Sequence, residues 1–147
     1  MRHDDDGQVL LLSIGYGLLA LLLVTVVVSA TSVHLERKRL LDTADLAALA
    51  AADAIDVPAY YAGGPAPEGS LVRLTPASVR AAVEAHLAAS PEAARLTDLA
   101  IVEATTTDGR TALVTLRAVA RIPLVSEATA PWADGIPLQV TAQARAG

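Results

Sequence analysis

The chain has 147 residues, no cysteine and a formal net charge of −5, and 53% of its residues are apolar. The absence of cysteine excludes disulfides and thiolate metal sites. The acidic charge is spread along the chain with no basic patch among aromatic residues, which argues against a nucleic-acid partner. A chain of this length holds at most one domain, with a shallow aliphatic core.

The first element is an uncharged run from Gly7 to Val33. Its apolar part, about 25 residues, extends roughly 37 Å as a helix, which is enough to cross a bilayer with some tilt. A buried core helix is disfavoured, because so small a domain cannot surround it on all sides. A secretory signal cleaved near residues 28–30 is the alternative. The acidic tail after Arg2 and the length of the run favour an uncleaved anchor.

The charges that flank the run favour a cytoplasmic C-terminal part. Arg37, Lys38 and Arg39 follow the run, whereas only Arg2 and the terminal amine precede it, and basic residues prefer the cytoplasmic side. The tail is short enough to cross in either direction, so this rule gives only a preference. Lys38 and Arg39 also lie one turn before Asp42 and are candidate ion-pair partners for it.

Helix signals continue beyond the run, since neither Gly nor Pro occurs between Leu18 and Val57. One helix is therefore predicted from about Gln8 to Asp56, and Pro58 ends it. The segment PAYYAGGPAPEGS, residues 58–70, is a loop by its Gly and Pro content.

The membrane-distal part of this helix, LLDTADLAALAAADAID, has two faces on a helical wheel. One face mixes aspartates with leucines: Asp42, Asp45, Leu46, Leu49, Asp53 and Asp56. The other is mainly alanine: Leu40, Ala44, Ala47, Ala48, Ala51, Ala54 and Ile55. Small residues let another helix approach closely, so the alanine face is predicted to pack on helices of partner proteins, with packing on the chain's own sheet as the alternative. The aspartates are too far apart along the axis to share a metal ion.

A second helix is predicted over residues 76–89. Thr75 is its N-cap and Pro76 occupies its first position. Its apolar residues lie four apart in one stripe, which is expected to cover a sheet: Val79, Val83 and Leu87.

Three antiparallel strands are predicted next, over residues 99–106, 111–122 and 136–144. Asp108-Gly109 is a strong hairpin signal between the first two. In the second strand, alternation places these residues on the inner face: Ala112, Val114, Leu116, Ala118, Ala120 and Ile122. In the third strand they are Ile136, Leu138, Val140 and Ala142. Trp132, in the connection 123–135, is expected to pack over the sheet.

Motifs that carry enzymatic chemistry are absent from the sequence: it has no nucleophile elbow, phosphate loop, dinucleotide turn or His/Cys metal spacing. The three histidines lie far apart along the chain. The sequence therefore predicts a protein that is not an enzyme and has no catalytic residue, cofactor, metal ion or small-molecule substrate.

The order of GQ, a long apolar span, the basic stretch ERKR and then LLDTADLAALA resembles the N-terminal region of TadE/TadG-like proteins of the Tad (tight adherence, Flp-type) pilus system. The residues that carry this resemblance, and with it the predicted helix packing, are Leu41, Ala44, Asp45, Ala47, Ala48, Leu49 and Ala51. The remainder looks like that of short actinobacterial TadG-related proteins. Gly7-Gln8 lies where a prepilin peptidase cuts a true pilin, although Leu12 stands where such a pilin has glutamate.

The resemblance implies a single-pass, minor-pilin-like component of pilus assembly that contacts the membrane and other pilus proteins, with its C-terminal domain outside the cytoplasmic membrane. The expected fold is α+β with a pilin-like layout, divided into a tail (1–8), a transmembrane helix (9–33), its Ala-rich extension (34–57), a loop (58–75) and a small domain (76–147). The alternative function is a membrane-tethered sensor or binding module.

Overall fold

The computed structural model of the protein describes residues 4–54, 73–121 and 135–146. Within these ranges the chain forms one long helix, a second helix, a short 3-10 helix (Ala93–Arg95) and three strands. The predicted α+β layout is confirmed. Several predicted features lie outside the described residues: the loop 58–70, Asp56, Ile122 and Trp132.

Helix α1 extends without interruption over Asp4–Ala52, which is 49 residues. The predicted continuity between the apolar span and the Ala-rich extension is therefore confirmed. The helix ends before the predicted Asp56. After it the amide of Ala54 donates to the carbonyl of Ala51 at 3.4 Å, a three-residue spacing that is common where a helix tightens at its end.

Helix α2 is Pro76–Ala89, as predicted. The Thr75 hydroxyl accepts from the Ser78 amide at 3.1 Å, and the Ser78 hydroxyl accepts from the Thr75 amide at 3.0 Å. This reciprocal capping box satisfies amides that the first turn leaves without helical partners. The stripe of α2 faces inward, since Val79 and Val83 are fully buried and Leu87 packs against the core.

The sheet has three antiparallel strands in the order β1-β2-β3: Ala100–Thr106, Thr111–Ala120 and Ile136–Arg145. Strand β1 has an irregular register between Ile101 and Glu103, where Val102 is 51% exposed. Neither the bulge nor its exposed valine follows from the alternation of the sequence, because the register shift depends on pairing with β2.

The inner face of the sheet is that predicted from alternation. All five described residues of the β2 set are buried: Ala112, Val114, Leu116, Ala118 and Ala120. On β3, Val140 and Ala142 are buried, but Ile136, predicted to point inward, is 39% exposed because it pairs with Ala120 at the end of the sheet. Both helices lie on this inner face, so the fold is a two-layer arrangement with one core.

The outer face of the sheet is largely polar, although Leu113 and Val119 also lie on it. Thr115, at its centre, is only 4% exposed, and its hydroxyl lies 3.0 Å from that of Thr141 on the neighbouring strand. Neighbouring strands on both sides therefore bury a residue that alternation correctly places outward.

Gly135, immediately before β3, is required by its backbone conformation and by its neighbours. Its φ is +84°, and a Cβ there would lie 2.5 Å from Val119 Cγ1 and 2.9 Å from the Ala120 carbonyl oxygen. Gly135→Ala is therefore expected to lower the free energy of unfolding by more than the roughly 1–2 kcal/mol that a positive φ alone costs an L-residue. Urea unfolding of the full chain in detergent micelles measures this loss.

The matched control is Gly109→Ala. Gly109 also has a positive φ, +69°, but its added Cβ would meet only Arg73 side-chain atoms at 3.7 Å, an ordinary contact. The control isolates the backbone cost, and equal losses in the two variants would contradict the steric part of the explanation.

The β1–β2 hairpin turns at Asp108-Gly109, as predicted, and Asp108 organises it. One carboxylate oxygen of Asp108 accepts from the amides of Arg110 and Thr111 at 2.9 and 2.6 Å, and the other accepts from the Thr111 hydroxyl at 2.9 Å. The bond from the Arg110 amide, followed by those from Thr111, lowers the pKa of Asp108 from 3.8 to about 2.

Because this pKa is lowered by folding, the stabilisation from Asp108 is present above about pH 4 and is lost as the pH falls through about 2. We expect Asp108→Asn to be less stable than the unchanged chain at pH 7, and the difference to shrink towards pH 2. Urea titrations of both proteins at several pH values measure this difference in the free energy of unfolding. The other carboxylates titrate in both proteins, so their contributions cancel in the difference. A stability difference that does not depend on pH would contradict the stabilising role assigned to the ionised Asp108 carboxylate.

Candidate functional site

The first half of helix α1 has the properties of a membrane span. It lies within the one helix, among the described residues, that is long and apolar enough to cross a membrane, and its most apolar window has a mean hydropathy of 2.6. Large apolar side chains are exposed all around it, from Val9 to Val28. Such a surface needs an apolar environment, and the structure is thus consistent with a single-pass membrane protein.

Four hydroxyl groups within the span bond to the helix itself, whereas the buried Ser32 hydroxyl has no hydrogen-bond partner among the described residues. Ser13, Thr25, Ser29 and Thr31 each donate to the carbonyl four residues earlier, at 2.7–2.9 Å. A hydroxyl in hydrocarbon has no water to bond, and this back-bonding satisfies it without a partner helix.

The basic stretch follows the span directly. Arg37, Lys38 and Arg39 are exposed, and Arg39 lies 3.6 Å from Glu36 in an ion pair one turn towards the membrane. The predicted ion pair between this stretch and Asp42 is not found among the described residues, where Arg39 pairs with Glu36 instead.

The alanine face of α1 forms part of the chain's own core. Five of its predicted residues have no exposed surface: Leu40, Ala44, Ala47, Ala48 and Ala51. Ala54 is half-buried, and Ile55 lies outside the described residues. The five buried residues pack against β2, β3 and α2. The predicted packing of this face on helices of partner proteins is therefore wrong. Small side chains allow close approach to any flat surface, and here that surface is the inner face of the sheet.

One signal in the sequence pointed to this outcome. The inner face of β2 includes three alanines, Ala112, Ala118 and Ala120, which are too short to fill a core unless a cover lies close to the sheet. Helix α2 offers only one narrow stripe. A second helix with small residues was needed, and the Ala-rich extension is the one the chain has.

The opposite face of this helix remains accessible, and we call it the Leu/Asp stripe. It consists of Leu41, Asp42, Asp45, Leu46, Leu49 and Asp53. Leu46 and Leu49 are 54% and 52% exposed. The predicted division into two faces is thus confirmed, whereas the prediction of which face is free was inverted.

The predicted site residues therefore separate into two groups. Four of them are buried in the core: Ala44, Ala47, Ala48 and Ala51. Three of them lie on the Leu/Asp stripe: Leu41, Asp45 and Leu49. Gly7 and Gln8 are exposed within the first turns of α1, and their processing stays a prediction.

Metal-binding geometry is not found among the described residues, which hold no group of three or more His, Asp or Glu side chains placed to bind an ion. The aspartates of the stripe are instead arranged along the helix. This arrangement suits contact with an extended surface better than coordination of a single small ligand.

The class of protein is thus a small α+β domain in which helix α1 forms part of the core and continues as a membrane-type span. Residues 7–54 match the Tad family model, which describes Flp pilus-assembly TadE/G-like proteins. The match covers about a third of the chain and nearly the whole of α1, and it confirms the resemblance seen in the sequence. Comparison with curated proteins and with solved structures gives no significant match.

Proposed function

We propose that the chain is a membrane-anchored, non-enzymatic, minor-pilin-like component of a Tad/Flp-type pilus-assembly apparatus. The observation that carries this proposal is the coincidence of the family match, residues 7–54, with one continuous helix that is a span at one end and part of a domain core at the other. A helix of this kind couples the domain rigidly to the membrane, because no Gly or Pro hinge separates the two parts.

The proposal places the α+β domain outside the cytoplasmic membrane. This orientation puts Arg37, Lys38 and Arg39 on the side that basic residues usually avoid. Large translocated domains cross largely regardless of the charge that precedes them, and a short tail can remain inside. The ion pair between Arg39 and Glu36 also offsets part of the positive charge at this position.

Partner contact in this proposal occurs through exposed surfaces of α1 and not through the buried alanine face. The Leu/Asp stripe lies just beyond the membrane surface, at the height where other single-span components of the apparatus would present their own helices. Its exposed leucines supply apolar area and its aspartates supply a charge pattern that selects partners.

Genetic complementation and co-purification test the function. Cells that lack the chain should assemble few or no pili, and the unchanged chain should restore assembly and co-purify with proteins of the pilus platform. Two matched charge reversals then test whether the partner contact lies on the Leu/Asp stripe: Asp45→Lys on the stripe and Glu103→Lys on the outer face of the sheet. Normal assembly without the chain, or a monomer that binds a soluble ligand and no pilus protein, would contradict the proposal.

A further inference from the structure

The basic stretch at the end of the span is a charged surface that the fold does not use. Arg37, Lys38 and Arg39 are exposed, and we call them the basic collar. Within the described part of the chain, Arg37 and Lys38 take part in no salt bridge. Arg39 pairs with Glu36 at 3.6 Å, but its side chain stays 64% exposed, so other guanidinium N–H groups remain available to a second acceptor. The collar therefore carries more positive charge than this one ion pair offsets.

The side chains of the collar lie around the part of the helix that the domain leaves uncovered. Successive residues are about 100° apart, so the collar spans roughly 200° of the helix circumference. Leu40, which is fully buried, marks the side that faces the core, and Lys38 points about 160° away from it. A partner helix would meet only one side of such a collar, whereas lipid headgroups surround a helix on every side that protein does not cover.

The collar also lies at the height of the lipid headgroups. Val33 is the last residue of the apolar run, and Arg37 and Arg39 follow it by about 6 and 9 Å along the helix axis. The headgroup layer adds about 5–8 Å to each side of the hydrocarbon core. Arg and Lys side chains are long enough to direct their charged ends into this layer while their stems lie on apolar surface. These charged ends are thus within reach of lipid phosphates.

The order of charges along α1 favours an anionic surface over a neutral one. The next charged residues after the collar are Asp42 and Asp45, roughly 5 and 9 Å beyond Arg39 on the side away from the span. A negatively charged bilayer attracts the collar and repels these aspartates, and both effects act within the Debye length of about 8–10 Å. Zwitterionic headgroups have no net charge and give neither effect. Anionic lipid is therefore the partner whose charge complements this pattern.

We propose that the basic collar binds the headgroups of anionic phospholipids, with its guanidinium and ammonium groups donating hydrogen bonds to the lipid phosphate oxygens. The inference rests on the membrane anchoring in the proposed function, but neither on its orientation nor on its pilus partners. Bound headgroups hold the end of the span at a fixed height. Because α1 is continuous, they also fix the height of the Leu/Asp stripe above the bilayer.

Quenching of tryptophan fluorescence by brominated lipids measures which lipid lies next to the helix below the collar. Val28→Trp serves as the reporter, since Val28 is 41% exposed and lies within about 20° of Arg39 around the axis, roughly 16 Å deeper in the membrane. The full chain is reconstituted in phosphatidylcholine bilayers with increasing fractions of brominated phosphatidylglycerol or, in parallel, brominated phosphatidylcholine. The chain without the reporter supplies the background signal of Trp132, its only tryptophan.

The anionic lipid should bind next to the reporter about fivefold more strongly than the zwitterionic lipid, which is the preference expected from one basic residue near a charged surface. Replacing the whole collar, by Arg37→Gln, Lys38→Gln and Arg39→Gln in one chain, should abolish this preference. Lys38→Gln alone should lower it. Arg117→Gln, which removes one positive charge from the outer face of the sheet, should leave it unchanged.

Equal binding of the two lipids beside the unchanged collar would overturn the proposal, as would a preference that the triple variant retains. Quenching by brominated phosphatidylcholine shows that the span lies in the bilayer, so these two results leave the anchoring intact. Quenching by neither lipid would instead contradict the anchoring in the proposed function, and this inference with it. Because no pilus protein is present, the results are independent of the complementation test.

Discussion

Replacing Ala48 by leucine is expected to lower the free energy of unfolding of the α+β domain by about 1–3 kcal/mol. Ala48 has no exposed surface and lies between α1 and the sheet. Three additional carbon atoms there must displace either the helix or neighbouring side chains, since protein cores are packed at near-crystalline density. Urea unfolding of the full chain in detergent micelles measures the loss.

Ala85→Leu is the matched control, because Ala85 lies on the exposed side of α2 and undergoes the same change in a helix. We expect its stability to remain within about 0.5 kcal/mol of that of the unchanged chain. If instead Ala48→Leu left unfolding unaffected and altered only association with other proteins, the alanine face would be a partner surface and the assignment of this face to the core would be wrong.

The second large effect is expected at Leu116, at the centre of strand β2. Leu116 is among the largest side chains that the domain buries completely, and its neighbours in the core are mostly valine and alanine. Leu116→Ala removes three carbon atoms from this core and should cost about 2–5 kcal/mol, depending on how far the helices collapse into the cavity. Since a small domain has only about 5–15 kcal/mol of net stability, this variant approaches unfolding.

Leu46→Ala makes the same substitution at a side chain that is 54% exposed. It should change the stability by less than about 0.5 kcal/mol when the protein is monomeric in detergent. Similar losses for Leu46→Ala and Leu116→Ala would show that the core does not lie between the sheet and helix α1.

Local signals predicted most of the fold. The start of α2 followed from Thr75 and Pro76, which act within one helical turn, and the hairpin followed from Asp108-Gly109. The inner faces of β2 and β3 followed from alternation alone. Each of these features is determined by residues that are close together in the sequence, so local sequence patterns are sufficient to predict it.

The partner of the alanine face could not be predicted in the same way. A face of alanines predicts that another element packs closely against it, but it does not predict whether that element is a helix or a sheet. Ala44, Ala47, Ala48 and Ala51 share a core with strands β2 and β3, which begin at least 60 residues later in the chain. Packing between such distant elements depends on the combined shape of all of them. For this reason the alanine face, which is buried in the core, was predicted to be the surface that contacts partners.

The residues that carry the resemblance to the Tad family model lie on both faces of α1. Asp45 and Leu49 of the matching pattern are exposed, whereas its alanines are buried. In this chain the small residues of the pattern pack on the sheet, and its acidic and leucine residues face away from the sheet. Only this second group is accessible to a partner.

The most direct test of the proposed anchoring and orientation is a topology reporter fused after Gly147. We predict that alkaline phosphatase at this position is active and that a fluorescent protein is not, because the proposed function places the α+β domain outside the cytoplasmic membrane. The same two fusions to the Ala146→Ser variant of the chain serve as a control for an effect of the sequence at the junction. A fluorescent and enzymatically inactive pair of fusions would place the domain in the cytoplasm and contradict the pilus-assembly function.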